Sequence, residues 1–167
     1  MGAIVTLHEC VLLVVRSQSH TLTQKCLEPD AWFRSLSANL QLPVHFATIA
    51  TNSNADIEVC LKEGAQVNTD GRRNRLLIAG AYLEDVVTFQ SLEALAFGFD
   101  VYLLTDAIET LYPSIASFHW DRLYQAGAVP ISIAQMLREW SVTSSDTSMA
   151  IKIYDCEIEF KRIKNCV

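Results

Sequence analysis

No stretch of the chain approaches the roughly 20 apolar residues that a bilayer-crossing helix needs, although half of its 167 residues are hydrophobic. The apolar run Val11 to Val15 is followed at once by Arg16. Neither a membrane span nor a secretory leader is expected, and the cytoplasm is the expected compartment. Positive charge is also scarce: 13 Lys and Arg stand against 19 Asp and Glu, a net charge of −6. Phosphate backbones are held by clustered cations, so a nucleic-acid partner is not expected. The local basic run Arg72, Arg73 and Arg75 reads as a solvated loop. Paired cysteines are missing as well. Cys10, Cys26, Cys60, Cys156 and Cys166 are odd in number and widely spaced, which gives neither a disulfide framework nor a zinc site. They read as reduced, mostly core residues. No metal or other cofactor is indicated.

What is present suits one compact α/β domain. Leu76-Leu77-Ile78-Ala79 is too short for a helix and ends at Gly80, as a buried parallel strand does. From Glu84 onward, Val87, Leu92, Leu95 and Ala96 recur at helical spacing up to Gly98, with Glu84 and Asp85 placed where a helix N-terminus favours negative charge. Phe99 to Thr105 then reads as a strand ending on Asp106. Strand, helix and strand within about 30 residues make one crossover unit of a parallel sheet.

The same pattern recurs along the chain. Cys10 to Val15 is a central strand, which puts Arg16, Ser17 and Gln18 at the rim of any ligand crevice. A helix is expected after Pro29, with Asp30 near its start, and a strand from Val44 to Ile49. His45 within that strand reads as a hydrogen-bonded core residue. A helix from Leu111 or Pro113 to Ala126, a short strand from Ala128 to Ile131 and a helix from Ile133 to Trp140 follow. Beyond the polar stretch Ser144 to Ser148, Met149, Ile153, Cys156, Phe160 and Ile163 fall at spacings of four, three, four and three, one apolar helical seam. Local alternation leaves strand open there. The expected layout is an α/β domain over 1–142 and, over 143–167, a polar linker with an amphipathic tail covering that domain or a neighbouring subunit.

Gly80-Ala81-Tyr82-Leu83-Glu84-Asp85-Val86-Val87, then Ala94-Leu95, Gly98-Phe99-Asp100-Val101 and Thr105-Asp106-Ala107, resemble the signature of the isochorismatase-like cysteine hydrolases. Leu83, Trp120-Asp121-Arg122-Leu123 and Gln125-Ala126-Gly127-Ala128 are similar to its YcaC-like branch. The resemblance covers roughly Cys10 to Trp140. It implies a three-layer α/β/α sandwich on a mainly parallel, Rossmann-like sheet, and symmetric oligomers as the common assembly. It also marks three positions. Val86 stands where the family carries its nucleophilic cysteine, and Arg16 stands where it carries the catalytic aspartate, two residues before the matching Gln18. Lys62 does not reproduce the family's lysine motif.

A cysteine hydrolase needs a thiolate, a carboxylate to shuttle its proton and a cation to hold the charge. The branch of the family that dispenses with the cysteine uses the aspartate as a general acid, which a permanently protonated Arg16 cannot be. The pocket-lining candidates are Arg16, Gln18, Gly80, Ala81, Tyr82, Leu83, Glu84, Asp85 and Val86. Arg16 is expected to pair with Glu84 or Asp85, Asp106 to cap or form a turn, and His119 to serve packing or interface polarity. Two functions stay open. The favoured one is a non-catalytic, homo-oligomeric binding or scaffold protein with a small anionic or amide ligand. The alternative is a hydrolase of a small amide or related metabolite with relocated groups, such as Glu84, Asp85 or a free cysteine.

Overall fold

The computed structural model describes residues 5–17, 24–49, 74–80 and 82–165. In chain order these form β1 (Cys10–Ser17), α1 (Gln24–Leu40), β2 (Val44–Ile49), β3 (Arg75–Gly80), a π-helical turn (Leu83–Val87) that runs into α2 (Thr88–Ala96), β4 (Asp100–Ile108), α3 (Ala116–Ala126), β5 (Val129–Ile131), α4 (Ile133–Thr143) and α5 (Thr147–Asn165). The five strands form one parallel sheet in the order β2-β1-β3-β4-β5.

The alternation of side chains along each strand explains the layers. Cys10, Leu12 and Val14 of β1, Leu77 and Ala79 of β3, and Tyr102 and Leu104 of β4 enter one core, with Trp32, Phe33 and Leu36 of α1 and Met136, Leu137 and Trp140 of α4. Their neighbours Val11, Leu13, Val15, Leu76, Ile78, Val101 and Leu103 enter a second core on the opposite face, with Ala94 of α2 and Leu123 of α3. A strand buried on both faces has no polar side to show, which is why β1 and β3 read as continuous apolar runs. The result is the three-layer α/β/α sandwich expected from the sequence.

Several boundaries differ from the sequence reading. β1 continues through Arg16 and Ser17, so both are the last residues of the strand rather than a loop beyond it. α1 begins at Gln24, ahead of Pro29, and Asp30 therefore lies inside the helix. Arg75 opens β3 and pairs with Glu9 at 2.9 Å, whereas it was grouped with a solvated loop. β2 is one of the two edge strands of the described sheet, and half-buried His45 stands beside Leu13 in register. The histidine is thus less enclosed than a central strand would make it.

The seam from Met149 to Ile163 lies on a helix. Ile153 and Cys156 of α5 are buried against Trp32, and Phe160 lies 5.0 Å from the Trp32 ring between centroids. The Trp32 indole N–H donates to the Cys156 carbonyl at 3.3 Å, and the Ser35 hydroxyl donates to Glu159 at 3.2 Å. The surface that this helix covers is α1 and α4 of its own chain. Asp146 accepts the Ser148 N–H at 2.8 Å and so satisfies one of the free donors at the start of α5.

Candidate functional site

The connections after β1 and β3 leave the sheet on opposite faces, since α1 packs into one core and α2 into the other. In an open parallel sheet such a reversal leaves a crevice at the carboxyl ends of the two strands, where ligands bind. Here those ends are Arg16 and Ser17 on one side and Gly80 on the other. Val15 and Gly80 are register partners, and a Cβ on Gly80 would run into the Val15 carbonyl. Gly80 also has a φ of +115°, a conformation that side chains disfavour. Backbone sterics alone therefore demand glycine at this corner.

Beyond it the chain winds into the π-helical turn. The Val87 N–H reaches back five residues to the Tyr82 carbonyl at 3.2 Å, and the Leu83 N–H donates to the Glu109 carbonyl at 2.8 Å. The Thr88 hydroxyl donates to the Leu83 carbonyl at 2.5 Å and the Ser91 hydroxyl to Val87 at 2.6 Å. These bonds fix the turn, and they bury Tyr82, Leu83, Val86 and Val87 beneath it. Val86 is 4% exposed and part of the second core.

Glu84 faces away from that core. Its two oxygens accept the N–H groups of Leu111 and Tyr112, each at 2.9 Å. Burial pushes the carboxyl up, but the two amide donors, with the nearby His119 adding to them, hold it below the usual carboxylate range. Glu84 is thus the anchor of the 109–112 segment.

On the β1 side, Arg16 forms an ion pair with Asp30 of α1. Its guanidinium carbon lies 4.8 Å from the centroid of the Phe46 ring, and that of Arg34 lies 4.1 Å from the same centroid. Two cations thus share one aromatic ring, and Arg16 is the one paired with the Asp30 carboxylate. Burial is the larger influence on Asp30 and raises its carboxyl above the ordinary value, despite the opposing pull of Arg16 and Arg34. The Arg16 Nε is buried and has no hydrogen-bond partner among the described residues.

No family model matches the chain. It is 45% identical over 56 residues to the Escherichia coli protein described as probable hydrolase YcaC, a stretch that spans 34% of this chain and 27% of the relative's length. The Pseudomonas aeruginosa YcaC structure, solved with hexane-2,5-diol and covalent acrylamide, superposes with a TM-score of 0.66 at 18% identity, over 97% of this chain and 94% of that one. The Escherichia coli YcaC structure, an octameric hydrolase of unknown specificity, gives 0.61 at 17%, over 98% of each chain. An isochorismatase-like hydrolase from Alkaliphilus metalliredigens gives 0.54 at 10%, over 78% and 97%. The chain has the isochorismatase-like hydrolase fold, and over those 56 residues its sequence is similar to YcaC.

The candidate residues divide. Arg16 lies at the end of β1, while Gly80, Tyr82, Leu83, Glu84 and Val86 lie at and beyond the end of β3. Gln18, Ala81 and Lys62 lie outside the described residues, as does the side chain of Asp85. Arg16 was expected to pair with Glu84 or Asp85; Glu84 commits both oxygens to the 111–112 backbone, and the pair the structure describes is Arg16–Asp30. Sequence reasoning treated Asp30 as a helix-start charge. No spacing marks an ion pair that joins a strand to a helix fourteen residues away, so nothing in the pattern pointed to it.

Asp106 accepts the Ile133 N–H at 2.9 Å, a capping role at the start of α4. His119 Nδ1 lies 3.3 Å from the Thr88 hydroxyl, across the contact between α2 and α3. Cys10 and Cys156 are both buried, and burial raises the Cys156 thiol above its ordinary value. No group of three or more His, Cys, Asp and Glu suited to a metal occurs among the described residues, and no described helix is long and apolar enough to cross a membrane.

Proposed function

We propose that this YcaC-like chain is a non-catalytic member of its family that works as a homo-oligomeric binding scaffold. The observation that carries the reading is the Arg16–Asp30 ion pair at the β1 end, with buried Val86 on the β3 side of the same crevice. Covalent hydrolysis requires a nucleophile that a neighbour can activate. Val86 offers a hydrocarbon, and Arg16, charged at any ordinary pH, neither takes up nor returns a proton. Binding is what this chemistry retains. The Arg16 Nε–H has no partner among the described residues, and a guanidinium pairs well with a carboxylate or the carbonyl of an amide. The octameric state of the Escherichia coli YcaC structure supports self-association.

Hydrolysis by relocated groups is the competing reading. Glu84, held in its ionised form by two backbone donors, is a weak base, and Cys156 resists forming a thiolate. The deciding experiment is a thermal-shift screen of the full chain against small carboxylates and amides, with product analysis on the same samples. A ligand that binds the native state raises its melting temperature by mass action. We expect a carboxylate to do so, Arg16→Met to abolish the response, and no amide to be consumed. Turnover above the buffer control would overturn the non-catalytic reading.

A further inference from the structure

The two helices beside the π-helical turn, and the segment that leads into α3, carry large apolar side chains on their outer surface. Phe89 of α2 is 59% exposed, Tyr112 59%, Ile115 40% and Phe118 of α3 71%. The elements that carry them meet. The Thr88–His119 contact at 3.3 Å joins α2 to α3 one residue away from Phe89 and from Phe118. The Ile115 N–H donates to the Tyr112 carbonyl at 3.0 Å, and the Phe118 N–H donates to the Ile115 carbonyl at 3.1 Å. Tyr112, Ile115 and Phe118 therefore follow one another on successive tight turns. Glu84 fixes the start of the row by accepting the Tyr112 N–H. Scattered exposed hydrophobics are ordinary on a protein surface, but a contiguous row on a rigid support marks an interaction surface.

We infer that this α2–α3 face is where a second copy of the chain docks, with Phe118 at its centre. The inference rests on the self-association proposed above and names the surface responsible. The charge pattern selects a copy of the chain over a lipid surface. Asp121 and Arg122, both exposed, lie one turn beyond Phe118 on α3, and in a two-fold interface each can meet the opposite charge of the partner. A lipid surface is met by clusters of Lys and Arg, and Asp121 beside Arg122 is not such a cluster. Chains that each carry a net charge of −6 repel, so contact requires an apolar centre with balanced charges at its edge.

The test is sedimentation velocity on the full chain, on Phe118→Glu and on Tyr154→Glu. Tyr154 is 60% exposed on α5 and serves as the control at an apolar site on another element. The natural chain is expected at a multiple of 18.7 kDa. Phe118→Glu should move toward the single-chain mass, with its dissociation constant raised roughly 30-fold or more, while circular dichroism and melting confirm a folded protein. Tyr154→Glu should keep the natural mass. An oligomeric natural chain whose Phe118→Glu variant stays assembled overturns this surface and leaves self-association standing. A monomeric natural chain at tens of micromolar overturns both.

Discussion

The Arg16 guanidinium is ion-paired to the Asp30 carboxylate across the contact between β1 and α1, with side chains 28% and 16% exposed respectively. Neither charge is well hydrated, so each depends on the other. Removing one partner leaves a poorly solvated charge behind, whereas replacing both with apolar groups of similar volume removes the desolvation penalty together with the attraction. Arg16→Met or Asp30→Leu alone should destabilise the fold by about 2–3 kcal/mol. The double variant should lose less than the sum of the two. Urea unfolding of the four proteins measures this coupling, and strict additivity would show that the pair contributes nothing.

Glu84 and Asp30 should respond to acid in opposite ways. The folded carboxyl of Glu84 lies below its ordinary value, so its stabilising contribution is complete above the ordinary carboxylate range and is lost as pH falls through the depressed value. Asp30 is held above its ordinary value, chiefly by burial. The folded state therefore binds that proton more tightly than the unfolded chain does, and protonation on acidification relieves a penalty that ionised Asp30 carries. Glu84→Gln should cost most at neutral pH and progressively less below about pH 4. Asp30→Asn should change the slope of stability with pH in the contrary sense. Denaturant midpoints between pH 3 and 7 would expose a shared sign, which is the outcome that contradicts the geometry.

Among the described glycines, Gly80 is the one least able to accept a side chain. Its φ of +115° and the Val15 carbonyl in the path of a Cβ act together, one as backbone strain and the other as overpacking. Gly80→Ala should cost about 3 kcal/mol or more, against a few tenths for an ordinary exposed substitution. A thermal melt within a degree of the natural protein would show that the β1–β3 corner relaxes freely.

The fold was legible where burial is two-sided. Leu76 to Ala79 and Cys10 to Val15 read as strands because parallel strands under helices on both faces must be apolar throughout. The ends were less legible. Arg16 and Ser17 are still strand, since the last strand residues reach the crevice and can be polar. β4 extends to Ile108 because, beyond a register shift, Ile108 pairs with Gly80, a partnership that no local pattern encodes. The π-helical turn was read as ordinary helix: an i to i+5 bond over Leu83–Val87 is too short to leave a periodicity. Around the candidate crevice the strands that carry Arg16 and Gly80 were legible. The partners of the site's side chains were not. Asp30 for Arg16, and the Leu111 and Tyr112 amides for Glu84, are tertiary contacts, set by how helices and loops are laid against strand ends.

The tail helix offers the sharpest test of how the core is closed. Ile153 is 1% exposed and faces the cluster of Trp32, Phe33 and Leu36, so α5 acts as a lid over α1 and α4. Trp32 is bound to this lid twice, by its N–H bond to the Cys156 carbonyl and by its contact with the Phe160 ring. Ile153→Ala removes buried volume between surfaces that these contacts hold in place, which limits collapse around the cavity. The expected loss is about 2–4 kcal/mol, in the range for buried Ile→Ala changes. Ile151→Ala, on the exposed side of the same helix, should change stability by no more than about 0.5 kcal/mol. Hydrogen exchange adds a second readout: the α5 amides should lose protection in Ile153→Ala before those of β1 and β3, which sit at the centre of the sheet. If all three elements lose protection together, α5 is part of the cooperative core rather than a separately opening cover.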